Sequence, residues 1–141
     1  MKVERVTTKK QLEDAYYVRT EVFVNEQNVP EEEEIDQFEE EADHFVLYDA
    51  DKPVGAGRCR VVDNMLKVER ICVMASHRSK GAGSLIMKAC EEVATEKGIK
   101  ALKLNAQTQA QPFYERLGYE CTSTETFLDA GIPHVTMKKA L

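Results

Sequence analysis

The sequence predicts an α+β fold in which helices flank a mixed β-sheet. The first half of the chain is rich in stretches with the two-residue alternation of strands, and the second half alternates helix-like with strand-like stretches. The 141 residues, 43% of them hydrophobic and 31% charged, are typical of a globular protein with one hydrophobic core. We therefore expect a single domain over residues 1–141.

The N-terminal half should form four strands and one helix. The segment KVERV (2–6) predicts a short strand, and KKQLEDAYYVRTEVFV (9–24) has the three-to-four-residue spacing of an amphipathic helix. Arg19 lies within the apolar face of that helix, so we expect its guanidinium to meet a buried partner or a pocket. Further strands are predicted at 44–50, 53–62 and 65–74, with a tight turn at Asp51–Lys52 between the first two.

The C-terminal half begins with the clearest helix of the sequence. Its apolar face comprises Ala82, Leu85, Ile86, Ala89, Cys90 and Val93. Gly98 is placed to end that helix. KALKLN (100–105) alternates like a strand, QPFYERLGY (111–119) predicts a short helix with Pro112 in its first turn, and HVTMKK (134–139) predicts a closing strand.

The net charge of -6 is concentrated in PEEEEIDQFEEEAD (30–43), which carries nine acidic residues and no basic one. The rest of the chain is mildly basic but has no basic stripe of the kind that binds nucleic acid. Two interpretations of the acidic segment are open: a solvated loop, or a negatively charged lip that attracts a cationic substrate.

Composition also argues against other protein classes. No apolar run approaches the roughly 18 residues of a membrane span, and the N-terminal MKVERVTTKK lacks the apolar region of a secretion signal. The four cysteines lie far apart and form no CxxC pair, which favours reduced, buried thiols. We therefore expect a cytoplasmic protein without a metal site.

The segment RSKGAG (78–83) joins a predicted strand to the clearest predicted helix. Free N–H groups at the start of a helix favour an anion, and glycines let phosphate oxygens approach the backbone. Arg78 and Lys80 add positive charge and hydrogen-bond donors. By itself the segment is equally compatible with a tight turn, or with close helix packing at Gly81 and Gly83.

Two motifs together resemble those of the GNAT superfamily of acyl-CoA-dependent N-acetyltransferases. Arg78-x-x-Gly81-x-Gly83 is similar to the pyrophosphate-binding R/Q-x-x-G-x-G/A motif, and AQPFYERLGY (110–119) is similar to the A-x-x-F-Y-x-x-x-G-F/Y segment. VRTEVFVNEQNVP and DAGIPH further resemble the ElaA/YjcF-like bacterial branch, so the resemblance covers nearly the whole chain. It implies a three-layer fold whose mixed central sheet is splayed at a bulged strand.

The resemblance implies acetyl-CoA (coenzyme A) as co-substrate. The backbone of the bulged strand would pair with the pantetheine arm as an added strand does, and RSKGAG would hold the pyrophosphate. The implied cofactor-binding residues are Ile71, Cys72, Val73, Arg78, Ser79, Lys80, Gly81, Ala82, Gly83, Ser84, Asn105, Ala110, Phe113, Tyr114 and Arg116. For Arg116, a solvated position on the helix is an equally good explanation.

The implied reaction is direct attack of a primary amine on the thioester, through a tetrahedral intermediate. The resemblance assigns the oxyanion to the backbone N–H near Val73 and the protonation of the leaving thiolate to Tyr114. Glu69 is the candidate base, because strand alternation would place it on the same face as Ile71 and Val73. An ion pair with Arg19 or Arg70 is the structural alternative for Glu69.

The resemblance also places polar residues in an acceptor pocket, namely Arg19, Glu26, Gln27, Asp36, His44 and His134. The acidic segment favours a cationic amine as the acceptor. We expect no nucleic-acid or membrane partner, and a monomer or a homodimer. Two alternatives stay open: a non-catalytic acyl-CoA-binding sensor or interaction module, and an anion-binding scaffold of unrelated fold. The presence of Tyr114 and Glu69 favours an enzyme.

Overall fold

The computed structural model describes residues 1–141, which form eight strands and four α-helices. The strands are β1 (Lys2–Arg5), β2 (Asp43–Asp49), β3 (Lys52–Val62), β4 (Met65–Val73), β5 (Ala101–Gln107), β6 (Glu120–Cys121), β7 (Phe127–Asp129) and β8 (Ile132–Ala140). The helices are α1 (Lys9–Arg19), α2 (Glu31–Glu34), α3 (Ala82–Glu96) and α4 (Gln111–Arg116). No helix is both long and apolar enough to cross a membrane.

All eight strands belong to one sheet, in the order β1-β2-β3-β4-β5-β8-β6, with β7 also paired to β8. Neighbouring strands are antiparallel except for β4 and β5, which are parallel. Helices α1 and α3 cover opposite faces of this sheet. The predicted α+β class with a mixed sheet between helices is therefore confirmed.

The core has three clusters, two on the α3 face of the sheet and one on the α1 face. On the α3 face, Met87 and Cys90 pack with Leu66 of β4 and Leu102 of β5, all fully or almost fully buried. On the α1 face, the helix buries a smaller group against β2, β3 and β4. Its members are Ala15, Val18, Val22, Val46, Ala56 and Cys72.

The predicted helix at 9–24 occupies the expected segment but changes geometry along its length. A capping box between Thr8 and Gln11 starts the helix. From Thr20 to Glu26 the chain continues as a π-helical segment, which carries the helix towards the acidic segment. Three short elements were not predicted: α2, β6 and β7. The turn between β2 and β3 lies one residue earlier than expected, at 50–51.

Strands β4 and β5 separate after a short stretch of pairing. They pair only from Leu66 to Val68 on β4 and from Leu102 to Leu104 on β5. Both strands continue beyond this point, β4 to Val73 and β5 to residue 107, without pairing with each other. The sheet is therefore splayed into two arms with a gap between them.

A β-bulge interrupts the pairing of β3 with β4 at the start of the β4 arm. Ala56 pairs with Cys72 and Arg58 pairs with Glu69, so two steps along β3 face three steps along β4. Within the bulge, Arg70 has a φ of 59°, in the left-handed region that non-glycine residues rarely adopt. Holding such a residue costs on the order of 1–3 kcal/mol, so surrounding contacts must maintain it.

The bulge changes the face of the sheet on which the β4 side chains after Arg70 lie. Glu69 lies on the α1 face, beside Arg58. Ile71 and Val73 pack instead on the α3 face, in the cluster around Ile86. The prediction that Glu69 shares a face with Ile71 and Val73 is wrong, because the extra residue of the bulge shifts the alternation by one.

Ion pairs hold the acidic segment (30–43) against the α1 face of the sheet. The Glu39 carboxylate bridges two fully buried arginines, with Oε2 2.7 Å from Arg19 Nη2 and 2.8 Å from Arg58 Nη1. Asp36 accepts two hydrogen bonds from Arg58, at 2.8 and 2.7 Å. The solvated-loop interpretation therefore fails for Glu34, Asp36 and Glu39 and holds only for exposed members such as 31–33.

These ion pairs keep two carboxyl groups ionised at low pH. Burial alone would raise the pKa of Asp36 and of Glu39. Hydrogen bonds from the arginines outweigh burial and lower both pKa values to about 2. A carboxyl group whose pKa is lowered by folding stabilises the protein above its unfolded pKa, and this stabilisation is lost as the pH falls through the folded pKa.

We expect the free energy of unfolding to fall as the pH is lowered from about 4.5 to about 2, because the unfolded chain takes up protons before Asp36 and Glu39 do. Glu39→Gln should lose about 3–5 kcal/mol at pH 7, since it leaves buried arginines without their partner. Its pH dependence over this range should be weaker than that of the wild type. Urea unfolding between pH 2 and 7 measures both effects, with exposed Glu13→Gln as the control. Parallel curves for Glu39→Gln and the wild type would contradict this assignment.

Candidate functional site

The two arms of the splayed sheet enclose a cleft of about 710 Å³. Residues 67–73 of β4 and 104–107 of β5 form its walls. The π-helical segment and the acidic segment contribute to it, and so do Tyr114 of α4 and the β7–β8 turn. The cleft therefore lies where pairing between β4 and β5 ends, and it combines apolar and charged walls.

The glycine-containing loop lies between the β4 arm and α3. Ser79 and Gly81 have φ values of 63° and 78°, and Gly81 directly precedes the first residue of α3, Ala82. Space around the position of a Cβ at Gly81 is open, so its backbone is accessible to a ligand. The 15 residues of α3 direct the positive end of the helix dipole at this loop. The loop can therefore hold an anion on backbone N–H groups.

Gly83 has a packing role that the motif did not reveal. A Cβ at this position would lie 3.0 Å from the ring of Phe113. Phe113 in turn packs edge-to-face on Tyr114, with 4.9 Å between ring centroids. The absence of a side chain at Gly83 thus lets α4 approach the start of α3.

The Arg78 side chain forms hydrogen bonds with other residues of the protein and is not free to bind an anion in the glycine loop. Its guanidinium donates two hydrogen bonds to the Glu26 carboxylate, at 2.7 and 2.6 Å, and its Nε donates to the Val73 carbonyl at 2.9 Å. Next along the chain, Gln27 accepts a hydrogen bond of 2.8 Å from Nε2 of Gln107 on β5. Glu26 and Gln27, which we call the strap, therefore link the two arms across the cleft.

Tyr114 lines the cleft and is only 9% exposed. Burial raises the pKa of its phenol above the ordinary value, so the group is protonated at neutral pH. Its hydroxyl makes no hydrogen bond within the chain, unlike that of Tyr48, which donates to Asp14. The phenol therefore holds a proton at the edge of the cleft, although its raised pKa makes it a weaker acid than a free tyrosine.

Backbone groups of the β4 arm face the gap. The N–H of Met74 donates to the Val54 carbonyl of β3 at 2.8 Å. Successive residues of a strand direct their N–H groups to opposite edges. The N–H groups of Val73 and Ile71 therefore face away from β3, into the cleft, where β5 no longer supplies partners.

Glu69 is surrounded by cations. Its carboxylate lies 2.8 Å from Arg60 Nε, 3.2 Å from Arg58 Nη2 and 3.1 Å from Lys67 Nζ. Burial would raise the pKa of Glu69, but these three partners outweigh it and lower the pKa. The carboxyl group therefore forms ion pairs, although not with the predicted Arg19 or Arg70, and it is a weak proton acceptor.

The residues predicted for an acceptor pocket divide into two groups. Glu26, Gln27, Asp36 and His134 line the cleft. Arg19 and His44 do not, because both are buried in the ion-pair network: Arg19 pairs with Glu39, and His44 Nε2 lies 2.8 Å from the Glu39 carbonyl. Their placement in the pocket is wrong, since a polar side chain within an apolar face is equally satisfied by a buried partner.

The remaining predicted residues lie in several environments. Asn105 and Ala110 line the cleft, and the Asn105 side chain accepts a hydrogen bond of 3.0 Å from Thr136. Cys72 also lines it, but burial raises the pKa of its thiol to about 12, which makes it a poor nucleophile. Arg116 is exposed and does not line the cleft. No group of three or more His, Cys, Asp or Glu side chains is placed to hold a metal ion.

Several residues that line the cleft were not predicted from the sequence, among them Arg70, Gln107 and Glu34. Arg70 is placed there by the bulge, for which strand alternation gives no signal. Gln107 extends the predicted strand by two residues, and its alternation with Asn105 was a usable signal. Glu34 looked like one member of an exposed acidic run, but burial raises its pKa to about 7 despite the neighbouring Arg19 and Arg70.

The chain matches known proteins in sequence and in fold. A family model described as an acetyltransferase (GNAT) domain matches residues 6–141. The chain is 58% identical over 139 residues to an uncharacterized N-acetyltransferase of Bacillus subtilis (strain 168), YjcF, with 99% of each chain covered.

Solved structures agree with the sequence match. A putative N-acetyltransferase from Lactobacillus plantarum has a TM-score of 0.91 at 29% identity, covering 99% of this chain and 97% of that one. Escherichia coli ElaA has a TM-score of 0.85 at 26% identity, covering 98% of each. At 15% identity, where the likeness shows the fold alone, a GNAT family acetyltransferase from Elizabethkingia anophelis with acetyl-CoA bound has a TM-score of 0.76 and covers 99% of this chain and 97% of that one. These matches confirm the expected fold.

Proposed function

The chain belongs to the GNAT family of acetyltransferases, and from this premise we propose that it transfers an acetyl group from acetyl-CoA to a cationic primary amine. The observation that carries the proposal is the gap between β4 and β5, with unpaired backbone N–H groups on one arm and Tyr114 beside it. Such a gap accepts an extended pantetheine arm as if it were an added strand.

The proposed placement of acetyl-CoA follows from three features of the cleft. The glycine loop and the start of α3 hold the pyrophosphate, because their N–H groups and helix dipole favour an anion. The β4 arm holds the pantetheine through Ile71 and Val73. The thioester then lies near the bulge, within reach of Tyr114. Arg78 contributes charge at the mouth of the cleft only if phosphate displaces Glu26.

The proposed reaction has three steps at one carbon. The neutral amine attacks the thioester carbonyl, forming the C–N bond and a tetrahedral oxyanion that the N–H near Val73 stabilises. The C–S bond then breaks, and the electron pair leaves on sulfur. Tyr114 donates its proton to that thiolate and is reprotonated from solvent. Because Glu69 is held by three cations, we assign the proton lost by the attacking nitrogen to solvent water and not to Glu69.

The exposed members of the acidic segment support a cationic acceptor. Glu32 and Glu33 line the cleft and are not neutralised by the buried arginines. Their field would raise the local concentration of a cation and steer it to the cleft. An ammonium ion must lose a proton before it attacks, so steering acts on capture rather than on the chemical step.

Thiol release from acetyl-CoA across a panel of amines tests the proposed function. Polyamines, amino sugars, peptide N-termini and lysine side chains represent the main classes of cationic amine. Turnover with any of them supports an enzyme. Tight binding of coenzyme A without turnover by any amine would favour a sensor or interaction module instead.

We expect Tyr114→Phe to lower turnover by about 10²–10⁴-fold, because it removes the proton donor and keeps the ring. Coenzyme A affinity, measured by calorimetry, should change little. The control is Tyr17→Phe, since Tyr17 is 51% exposed on α1 and outside the cleft. Full turnover of Tyr114→Phe under conditions where chemistry limits the rate would exclude Tyr114 as the acid.

We expect Gly83→Ala to lower turnover by about tenfold or more, because the new methyl group displaces Phe113 and with it Tyr114. Adding Phe113→Leu to the same chain should restore most of the loss by making room. Steady-state kinetics of the two single variants and the double variant measure this coupling. Additive effects of the two substitutions would show that Gly83 acts without Phe113, for example on phosphate alone.

Replacing Glu31, Glu32 and Glu33 together by glutamine should lower kcat/KM for a cationic acceptor by about threefold or more at low salt. The loss should shrink as salt is added, since the Debye length is only about 8 Å at physiological ionic strength. Glu34 stays unchanged because it is buried. A triple variant at exposed Glu13, Glu92 and Glu125 has the same net charge and serves as the control. Equal kinetics of both triple variants would exclude steering by this segment.

A further inference from the structure

We propose that Arg70 is a positioning residue: its side chain, held by the acidic segment, keeps the β4 bulge in the shape that turns the Ile71 and Val73 amides into the cleft. The inference rests on the proposed function, because these amides are the groups assigned to pantetheine and oxyanion. It gives the acidic segment a role in catalysis that is independent of substrate charge.

The backbone conformation of Arg70 is strained and needs contacts elsewhere in the protein to maintain it. Its φ of 59° is the left-handed region, where an L side chain is disfavoured and glycine is the usual residue. A glycine would adopt this bulge without strain, yet the chain has an arginine here. The side chain must therefore supply contacts that offset the backbone strain.

Those contacts all come from the acidic segment. Arg70 Nε lies 2.9 Å from Glu34 Oε1, and Nη2 lies 3.3 Å from Asp36 Oδ2. The same guanidinium donates to the backbone carbonyls of Glu33, at 3.2 Å, and Glu34, at 3.3 Å. We call this set of four contacts the clamp. A guanidinium with several donors in one plane is suited to bind carboxylates and carbonyls together, which a lysine cannot do.

The clamp is rigid because its acidic partners are fixed from the other side. Arg58 holds Asp36 with two hydrogen bonds, and Arg19 Nη2 donates to the Glu34 carbonyl at 2.7 Å. Arg19 and Arg58 are fully buried on α1 and β3. The position of Arg70 is thus tied to the core through two ion-paired residues.

The opposite side of the bulge is held by packing. Gly57 of β3 lies across from the bulge, and a Cβ there would come within 2.6 Å of Ile71 Cδ1 and 2.8 Å of Ile86 Cγ2. Ile71 therefore fills the space that a side chain at residue 57 would take. With Arg70 held on the α1 face and Ile71 on the α3 face, the strand cannot return to regular alternation without losing both contacts.

Loss of the bulge would change the cleft directly. In a regular strand the extra residue would pair with β3 like any other. Each following side chain would then lie on the other face of the sheet, and each following N–H group would point to the other edge of the strand. Ile71 and Val73 would then direct their N–H groups towards β3 instead of the gap. The contacts of Arg70 therefore also fix the direction of the Ile71 and Val73 N–H groups, which are the hydrogen-bond donors of the site.

Three variants test the clamp. Arg70→Gly removes the side chain and also relieves the backbone strain, so the protein should still fold although the buried Glu34 loses a partner. Arg70→Ala removes the side chain and keeps the strain. Arg5→Ala is the matched control, because Arg5 also holds two carboxylates, Asp43 at 3.0 Å and Glu96 at 2.9 Å, on β1 at the edge of the sheet.

We expect Arg70→Gly and Arg70→Ala to lower kcat for acetyl transfer at least tenfold and to weaken coenzyme A binding by a similar factor. The KM for the amine should change less than threefold. Both variants should melt below the wild type, because each leaves the buried Glu34 without this partner, and Arg70→Ala should melt lower than Arg70→Gly because it keeps the backbone strain. Arg5→Ala should keep wild-type kcat and coenzyme A affinity.

Wild-type kcat and coenzyme A affinity in folded Arg70→Gly would overturn the proposal, because the bulge would then hold its shape without the clamp. Calorimetric titration with coenzyme A keeps the two hypotheses apart. A wild-type protein that binds coenzyme A but acetylates no amine would contradict the proposed function, while the affinity of Arg70→Gly would still decide the role of the clamp.

Discussion

The site depends on the point at which β4 and β5 cease to share hydrogen bonds. Up to Val68 the two strands form an ordinary parallel pair, and beyond it each strand has an open edge. Open edges inside a protein are costly unless something satisfies their donors and acceptors. Here the β3–β4 bulge turns one edge, and the strap joins the two arms. The empty pairing positions are what a chain-like ligand can occupy.

Buried charge has a structural purpose in this protein that its composition conceals. The acidic segment appears in the sequence as excess negative charge. In the structure, three of its carboxyl groups form ion pairs with arginines of α1, β3 and β4. Ion pairs of this kind contribute little net stability, because desolvation offsets much of the attraction. They do fix the position of the acidic segment, since the planar guanidinium of each arginine can donate hydrogen bonds in only a few directions. The segment is therefore held close to the sheet while its first residues stay in solvent.

Most of the fold follows from the sequence, and the site follows only in part. Periodicity located the long elements because each buries one regular face, as α3 does with Ile86 and Cys90. The glycine loop and Tyr114 were found through motifs. The face of Glu69 and the role of Arg70 could not be found this way, since one inserted residue reverses alternation and leaves no compositional trace. For Arg19 the sequence left open a buried partner or a pocket, because its partner Glu39 lies 20 residues away and only the tertiary structure pairs them.

The wall carboxyl Glu34 has a consequence for how binding should be measured. Burial raises its pKa to about 7, so it is partly protonated at neutral pH. A positive ligand that enters the cleft favours the ionised form, so part of the bound protons must be released to the buffer. Heats of acceptor binding near pH 7 then contain the ionisation enthalpy of the buffer. Their true value is obtained only by comparing buffers with different ionisation enthalpies.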